Sequence, residues 1–178
     1  METDLITSYV SLGSNLGDRA GNLLLAVRGL LEASFDVTKL SGIYETEPIG
    51  VEGHDNYLNM VAEVRIGGIT PSQMMARMLR IEYLLGRKHK FLKKPRTVDL
   101  DILFYADSII ETEFLTLPHP RLHLRKFVLV PLAEIAPNLI HPVLELSISD
   151  ILEDVEGEQD VKRWNPFPVE EAAFAESN

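Results

Sequence analysis

The order of the predicted elements constrains the fold of this chain more than any other feature of its sequence. A first strand, "LITSYVSLG", ends at the turn signal "GSNLGD". Asp18 can then cap a helix that runs from Arg19 to about Leu31. Within that helix, residues at helical spacing predict one buried apolar stripe: Leu23, Leu24, Val27, Leu30 and Leu31.

The middle of the chain predicts two strands and a second helix. "DVTKLSGIYETEPIG" is typical of one extended strand that breaks at Pro48 and Gly50. "YLNMVAEVRIG" follows the polar loop "VEGHDN" and is the expected hairpin partner. The second helix lies in "TPSQMMARMLRIEYLLG". Its signals are an N-cap, a first-turn proline, a capping-box glutamine and a terminal glycine, at Thr70, Pro71, Gln73 and Gly86.

The segment "VDLDILFY" predicts a strand with one acidic and one apolar face. Asp99 and Asp101 share a face, about 7 Å apart at the backbone. The other face carries Val98, Leu100, Ile102 and Phe104. The resulting order of strand, helix, strand, strand, helix, strand is that of the split βαβ unit. We therefore expect a ferredoxin-like α/β (α+β) fold, with a mainly antiparallel sheet flanked by helices.

The last third of the chain predicts two shorter helices and a tail. "VLVPLAEIAP" is too apolar to be exposed, and Pro131 can open a short helix there. "SISDILEDV" predicts a helix capped by Ser147 or Ser149. The end "NPFPVEEAAFAESN" is polar and broken by proline. We expect a single domain over residues 1–164 and a polar tail over residues 165–178.

Charge and composition exclude several classes of partner. A net charge of -10 would repel nucleic acid and anionic membranes, so an anionic ligand must be met by local positive charge. The chain has no cysteine, begins without a basic and apolar signal segment, and has no apolar stretch long enough to span a bilayer. A cytoplasmic monomer acting on small molecules is the expectation.

Asp99 and Asp101 are the first candidates for chemistry. Two carboxylates on one strand face repel each other unless a cation or a strong donor lies between them. Mg²⁺ prefers oxygen ligands and is commonly held by one or two carboxylates together with substrate phosphates. The alternative is an exposed strand face with solvated aspartates.

A basic run precedes the acidic strand. Six of the 17 lysines and arginines fall within ten positions: Arg87, Lys88, Lys90, Lys93, Lys94 and Arg96. A solvated charged loop is the ordinary interpretation. Positive side chains beside a carboxylate pair are, however, what phosphoryl transfer requires, because metal and cations neutralise the phosphate charge.

Other residues give weaker indications of the ligand. Neither glycine-rich nucleotide motif is present, so side chains and metal would carry most of the phosphate charge. The segment "PHPRLHLR" offers more cations at His119, Arg121, His123 and Arg125. A planar heterocycle could stack between Tyr57 and Phe127 and be recognised by the amide of Asn59. Taken singly, each of the four cations is at least as well explained by an ordinary charged loop or a hydrogen-bonded histidine. Residues such as Tyr57, Asn59 and Phe127 more often belong to a core or a turn.

Several motifs together resemble one family. "YVSLGSNLGDR", "YETEPIG", "YLNMV", "PRTVDLDILFY" and "LPHPRLHLRKFVLVPLAEIAP" occur in the order and spacing of the 6-hydroxymethyl-7,8-dihydropterin pyrophosphokinases of folate biosynthesis. The resemblance covers roughly Ser8 to Pro137 and continues more weakly to about Trp164.

The resemblance implies an activity and a set of site residues. The activity is transfer of diphosphate from ATP to the hydroxymethyl group of the pterin, with release of AMP and the use of two Mg²⁺ ions. It makes Asp99 and Asp101 the metal ligands, and Arg87 and Arg96 the phosphate and transition-state contacts. The pterin would be bound by Thr46, Pro48, Tyr57, Asn59 and Phe127. The ATP side would comprise Glu82, Arg87, Arg96, Ile102, Thr116, His119 and Arg125.

Two other functions stay open at this point. One is a magnesium-dependent phosphotransferase or nucleotidyltransferase with a different acceptor, and the other is a noncatalytic pterin- or nucleotide-binding module. In the favoured mechanism, the hydroxyl attacks the β-phosphorus in line with the bond to AMP. The loops "TEPIGVEGHDNY" and "RKHKFLKKPR" are expected to close over the substrates.

Overall fold

The computed structural model describes residues 4–48, 53, 55–86 and 97–167. Its main strands are β1 (Ile6–Ser14), β2 (Asp36–Leu40), β3 (Tyr44–Thr46), β4 (Tyr57–Ile66) and β5 (Asp99–Tyr105). Short strands follow at β6 (Ile110–Glu111), β7 (Thr116–Leu117) and β8 (Lys162–Arg163). The helices are α1 (Arg19–Glu32), α2 (Pro71–Leu84), α3 (Lys126–Ile135) and α4 (Ile148–Asp154), and a 3₁₀ turn spans Leu122–Leu124.

The main sheet runs in the order β5, β1, β4, β3, β8, and β2 also pairs with β4. Every pairing between these described strands is antiparallel. β6 and β7 form a separate hairpin. The predicted mixed α/β, ferredoxin-like fold is confirmed, with strands β2 and β3 sharing the position of one longer strand.

The sheet separates two apolar cores. On one face, Leu23, Ala26 and Leu30 of α1 and Met74, Met78 and Ile81 of α2 pack against alternate residues of the central strands. On the other face, which we call the α3 face, Tyr9, Val61 and Leu103 pack against α3 and α4. Because side chains alternate along a strand, the odd-numbered residues of β1 and β4 belong to the α3 face.

Both predicted helix starts of the first half are confirmed. The Asp18 carboxylate accepts the Gly21 N–H, at 3.0 Å, and so caps α1. Thr70 and Gln73 form the capping box of α2 through reciprocal hydrogen bonds. Gly86 ends the second helix with a φ of 97°, a conformation that glycine adopts without steric cost. Ser147 caps α4, as one of the two predicted alternatives.

The predicted stripe of α1 was partly wrong. Leu24 and Leu31 are 62% and 53% exposed, whereas Ala26 is buried. Only the narrow side of the helix that faces the sheet and α2 is covered. Leu24 follows Leu23 by 100° around the helix and therefore points away from that contact.

The segment predicted as one extended strand forms two strands. Between β2 and β3, the Ser41 hydroxyl accepts the N–H of Val61, at 2.9 Å. The Ser41 backbone N–H donates to the Val61 carbonyl, also at 2.9 Å. A side-chain acceptor thus replaces part of the backbone ladder, and the strand is interrupted at this point.

Phe104 lies on the opposite face from the one predicted. β5 pairs Ile102 with Val10 and Phe104 with Tyr9, so Leu103 is an extra residue at a bulge. Phe104 therefore joins Leu103 in the α3-face core, while Val98, Leu100 and Ile102 stay with α1 and α2.

Pro131 lies inside α3 and does not open it. The helix begins five residues earlier, at Lys126, with Arg125 as its N-cap. An internal proline removes one helical hydrogen bond and costs about 3 kcal/mol. Burial of Val128, Leu129 and Leu132 offsets that cost, since burying one such side chain contributes roughly 1.5–3 kcal/mol. Within the described residues, no helix has the length and apolar character needed to cross a membrane.

The buried imidazole of His141 should make the stability of the fold depend on pH. Its imidazole is buried, and Nδ1 accepts the N–H groups of Val143 and Leu144 at 3.2 and 3.1 Å. Burial lowers the pKa of His141 below 6.5, and the neighbouring His123 lowers it further. The neutral form is therefore favoured by folding, and this contribution to stability is lost as the pH falls below 6.5 towards the folded-state value.

We expect the free energy of unfolding, measured with urea at several pH values, to decrease below pH 6.5. His141→Asn should weaken this dependence without abolishing it, because the pKa of His119 is also lowered. An unchanged slope in the variant would contradict the assignment.

Candidate active site

Four neighbouring strands contribute one row of residues to the α3 face. Asp99 of β5 pairs with Gly13 of β1, Gly13 pairs with Asn59 of β4, and Asn59 pairs with Tyr44 of β3. Directly paired residues point to the same side of an antiparallel sheet. The sheet register therefore joins the candidate metal ligands to the candidate pterin residues across a single glycine.

Asp99 and Asp101 both lie on this face and are partly buried, as predicted from the alternation in their strand. Asp101 pairs with Ser11, one step along β1 from Gly13 on the same face. Among the described residues, no group of three or more His, Asp, Glu or Cys side chains could hold a metal ion by itself. Two carboxylates suit Mg²⁺, which takes its remaining ligands from water and phosphate.

Glu82 fixes the backbone between the two aspartates. The side chain is 2% exposed, and its Oε1 accepts the N–H of Leu100 at 2.7 Å. Among the described strands, β5 lies at the edge of the sheet, and this hydrogen bond from α2 gives its outer side an acceptor there. The predicted ATP-side residue thus holds the strand that carries the acidic pair.

The amide of Asn59 lies against the backbone of Gly13. A Cβ atom at position 13 would come within 2.9 Å of Asn59 Oδ1, a distance that real Cβ atoms essentially never show. The Asn59 Nδ2 donates to the Thr46 hydroxyl at 3.2 Å. Thr46 and Asn59 are both buried and form one polar wall. Gly13 was missed from the sequence, although a glycine inside a strand is a known sign of close approach.

Both aromatic candidates belong to the α3 face. Tyr57 is two residues before Asn59 on the same face of β4, and Phe127, in the first turn of α3, packs on the α3-face core. Both rings are half-buried. The Arg125 guanidinium lies 5.7 Å from the centre of the Phe127 ring. Pro48, the fifth predicted pterin residue, is half-buried beyond the end of β3.

A salt bridge joins the two ends of the segment between β3 and β4. Arg19 Nη1 donates to Glu45 Oε2 at 2.7 Å and to the carbonyl of Asn56 at 2.8 Å. Glu45 precedes Thr46, and Asn56 precedes Tyr57. Arg19 therefore helps to hold together the strand ends that carry the polar wall, a role with no evident signal in the sequence.

A cleft of about 280 Å³ opens beside the edge strand. Three of the predicted ATP-side residues line it: Ile102, Thr116 and His119. Asp101 lines it as well, and so does Phe114, which is 81% exposed in the turn between β6 and β7. Phe114 was not identified from the sequence, because an aromatic residue in a turn has no distinctive pattern.

His119 is held in a defined orientation beside the acidic pair. Its backbone N–H donates to the Leu103 carbonyl at 2.9 Å, and its Nδ1 accepts the Arg121 N–H at 3.1 Å. Burial lowers the pKa of His119, and Arg125 and Arg121 lower it further, although the carboxylates of Asp101 and Asp99 act in the opposite direction. The imidazole is therefore neutral at neutral pH and carries its proton on Nε2.

Two predicted catalytic residues lie outside the described residues. Arg87 and Arg96 are the first and last residues of the basic loop "RKHKFLKKPR", and the whole of that loop lies outside the described residues. Residues 49–52 and 54 of the other predicted closing loop are outside as well. The closure of both loops stays a prediction.

Comparison with known proteins identifies relatives along most of the chain. A family model described as 7,8-dihydro-6-hydroxymethylpterin-pyrophosphokinase matches residues 9–137. A protein of Aquifex aeolicus named 2-amino-4-hydroxy-6-hydroxymethyldihydropteridine pyrophosphokinase is 40% identical over 139 residues, which cover 78% of this chain and 86% of that protein. The Bacillus subtilis protein of the same name is 46% identical over 133 residues, covering 74% and 79%.

Some similar proteins are much longer. The folic acid synthesis protein fol1 of Pneumocystis carinii is 40% identical over 159 residues, which cover 89% of this chain but 21% of that protein. A solved structure of Plasmodium falciparum HPPK-DHPS superposes with a TM-score of 0.68 at 16% identity, covering 85% of this chain and 46% of the solved one. At this identity, the superposition supports the fold alone.

The hydrogen bond from Leu100 to Glu82 should make a measurable contribution to the free energy of unfolding. In Glu82→Leu, the Leu100 N–H loses its acceptor inside the protein, which costs about 1–3 kcal/mol. We expect the free energy of unfolding in urea to decrease by that amount. Glu82→Gln keeps a carbonyl acceptor and should lose less. Tyr83→Leu, at an exposed neighbouring position, is the matched control, and equal losses in all three variants would contradict the prediction.

Proposed function

The chain belongs to the 7,8-dihydro-6-hydroxymethylpterin-pyrophosphokinase family, and from that premise we propose how its residues divide the reaction. As a member, it is an ATP-dependent pyrophosphokinase of folate biosynthesis. The reaction moves a diphosphate unit from ATP to the hydroxymethyl group of 6-hydroxymethyl-7,8-dihydropterin and releases AMP. The residues that bind each substrate, the metal and the course of the transfer are our proposals.

One observation carries the assignment of the site. Asp99 and Asn59 belong to the same row of the α3 face, with only Gly13 between them. Strands lie about 4.8 Å apart, so the two backbones are about 10 Å apart. That spacing supports a diphosphate on the Asp side and a pterin ring on the Asn59 side, with the hydroxymethyl group directed between them.

We assign the pterin to the polar wall and the two aromatic rings. Thr46 and Asn59 would recognise the edge of the heterocycle, because an amide and a hydroxyl offer both donors and acceptors. Tyr57 and Phe127 would stack on its two faces, and Pro48 would contact its rim. The close fit of the Asn59 amide over Gly13 supports this assignment, because it holds the amide in one orientation.

We assign ATP to the cleft and to the cations beside it. Ile102 and Thr116 would contact the nucleoside, while His119 and Arg125 would face the phosphates. The neutral His119 can donate its Nε2–H to a phosphate oxygen. Arg87 and Arg96 are proposed to neutralise charge in the transition state, as guanidinium groups do in other phosphoryl transfers.

Asp99 and Asp101 are the proposed ligands of two Mg²⁺ ions. When bound, the ions would neutralise charge on the phosphate oxygens of ATP. The chain itself mainly positions the reactants. The pterin hydroxyl oxygen forms a bond to the β-phosphorus, the bond from that phosphorus to the oxygen bridging to the α-phosphate breaks, and AMP leaves with that oxygen. No dedicated general base is assigned: we propose that the hydroxyl proton passes either to solvent water, with its acidity raised near the metal, or to a carboxylate oxygen of the acidic pair that does not ligate Mg²⁺.

Three further expectations stay proposals. Residues 1–164 are proposed to form the catalytic domain, with residues 165–178 as a tail. The pairing of β8 with β3 supports including residues up to 163. A cytoplasmic location and a monomeric state are proposed from the acidic composition without cysteine.

Identification of the nucleotide product tests the reaction. Purified protein incubated with MgATP and 6-hydroxymethyl-7,8-dihydropterin should form AMP, and no AMP should form without the pterin. ADP as the product would indicate transfer of a single phosphate. Binding of the pterin without any product would indicate a noncatalytic module.

Substitution of the acidic pair tests the proposed metal site. Asp99→Ala should lower turnover by roughly 100-fold or more, because phosphate charge would no longer be neutralised at this position. We expect the melting temperature to change little, since Asp99 is only partly buried and does not belong to either apolar core. Asp107→Ala removes an exposed aspartate just after the same strand and is the matched control. Full activity of Asp99→Ala would contradict the metal assignment.

A further inference from the structure

A polar cluster on the α3 face joins three separate parts of the chain. Its members are Gly42, Tyr44, Glu134 and Arg163, and we call it the Glu134 cluster. The Glu134 carboxylate accepts the Gly42 N–H at 3.2 and 3.0 Å and the Tyr44 hydroxyl at 2.7 Å. It also accepts Arg163 Nη1 at 3.3 Å. One side chain of α3 thus binds β3, the residues before it, and β8.

The Arg163 side chain is 64% exposed, yet it approaches two neighbours of the cluster at short range. The Arg163 guanidinium lies 5.8 Å from the centre of the Tyr44 ring. A Cβ atom at position 42 would come within 2.6 Å of Arg163 Cζ, so glycine permits the approach. Burial raises the pKa of Tyr44, and the hydrogen bond to Glu134 raises it further, so the phenol keeps the proton that it donates.

The cluster connects the two sides of the proposed pterin site, the space between the polar wall and the Phe127 ring, which we call the pterin slot. Tyr44 pairs with Asn59 and lies two residues before Thr46, so it belongs to the strand that bears the polar wall. Phe127 lies seven residues before Glu134 in α3, which is two turns along the same side of the helix. The hydrogen bond between Glu134 and Tyr44 of β3 therefore limits how far Phe127 can move from Thr46 and Asn59.

We propose that Glu134 and Arg163 are positioning residues that set the separation between the Phe127 ring and the polar wall of the pterin slot. The inference rests on the proposed function, because it assumes that the slot binds the pterin. Arg163 lies beyond residue 137, where the match to the family model ends. A segment after the matched region would therefore contribute to substrate binding without touching the substrate.

A purely structural role would have different consequences. If the cluster only stabilised the fold, its loss would lower the melting temperature and the fraction of active protein. The apparent kcat would then fall, while the KM values of the folded fraction would not change. A positioning role instead changes the KM for the pterin, and leaves the KM for ATP and kcat nearly unchanged.

The test compares Arg163→Gln with Lys162→Gln in the full chain. Both variants remove one positive charge from an exposed side chain of β8, but the ion pair described for Lys162 is with Asp160, at 3.0 Å, and not with Glu134. We expect Arg163→Gln to raise the KM for 6-hydroxymethyl-7,8-dihydropterin about 3- to 10-fold, a size typical of indirect coupling. Its KM for ATP and its kcat should stay within about twofold of wild type, and Arg163→Lys should recover part of the loss.

Tyr44→Phe provides a second variant that removes a single hydrogen bond from the cluster and keeps the ring. It should raise the KM for the pterin in the same direction, with melting temperatures recorded for every variant. An unchanged pterin KM in both Arg163→Gln and Tyr44→Phe would overturn the proposal, as would an equal effect of Lys162→Gln. If wild-type protein forms no pterin-dependent AMP, the proposed function fails instead, so the two failures are distinguishable.

Discussion

The antiparallel pairing of β1 with β5 on one side and β4 on the other is the interaction on which the rest of the site depends. It sets Asp99 and Asn59 at equal heights on two strands that do not touch each other. A slip of one residue on either side would turn the acidic pair or the amide to the opposite face of the sheet. The buried residues Leu100 of β5 and Leu58 and Met60 of β4 oppose such a slip, because their side chains would leave the core formed with α1 and α2.

Contacts around β1 each fix the position of one further part of the site. Glu82 holds the edge strand at Leu100, the Asn59 amide rests on Gly13, and Arg19 ties the ends of β3 and β4. The Glu134 cluster then joins α3 to β3. Polar and charged side chains thus fix backbone positions at the site that hydrophobic packing alone would not fix. Under the proposed assignments, phosphates would be bound despite the net negative charge, because Arg125 and the basic loop supply local positive charge.

Local patterns in the sequence predicted much of this arrangement. Alternation in "VDLDILFY" was enough to assign Asp99 and Asp101 to one face, and capping residues located both long helices. Errors arose where tertiary context changed the local rule: a bulge at Leu103 turned Phe104 over, and strong burial kept Pro131 inside a helix. Gly13 carried a signal that was missed, a glycine inside a strand. The roles of Arg19 and the Glu134 cluster could not be predicted, because each depends on residues that are far apart in the chain.

The central claim is that Asp99 and Asp101 hold the metal beside the polar wall of Thr46 and Asn59. Paramagnetic broadening tests it directly, by adding Mn²⁺ and a nonhydrolysable ATP analogue to ¹⁵N-labelled protein and recording the amide signals. We expect the signals of Ser11, Gly13 and residues 99–101 to broaden at the lowest Mn²⁺ concentrations. Sharp signals at these positions, with broadening first elsewhere in the protein, would contradict it.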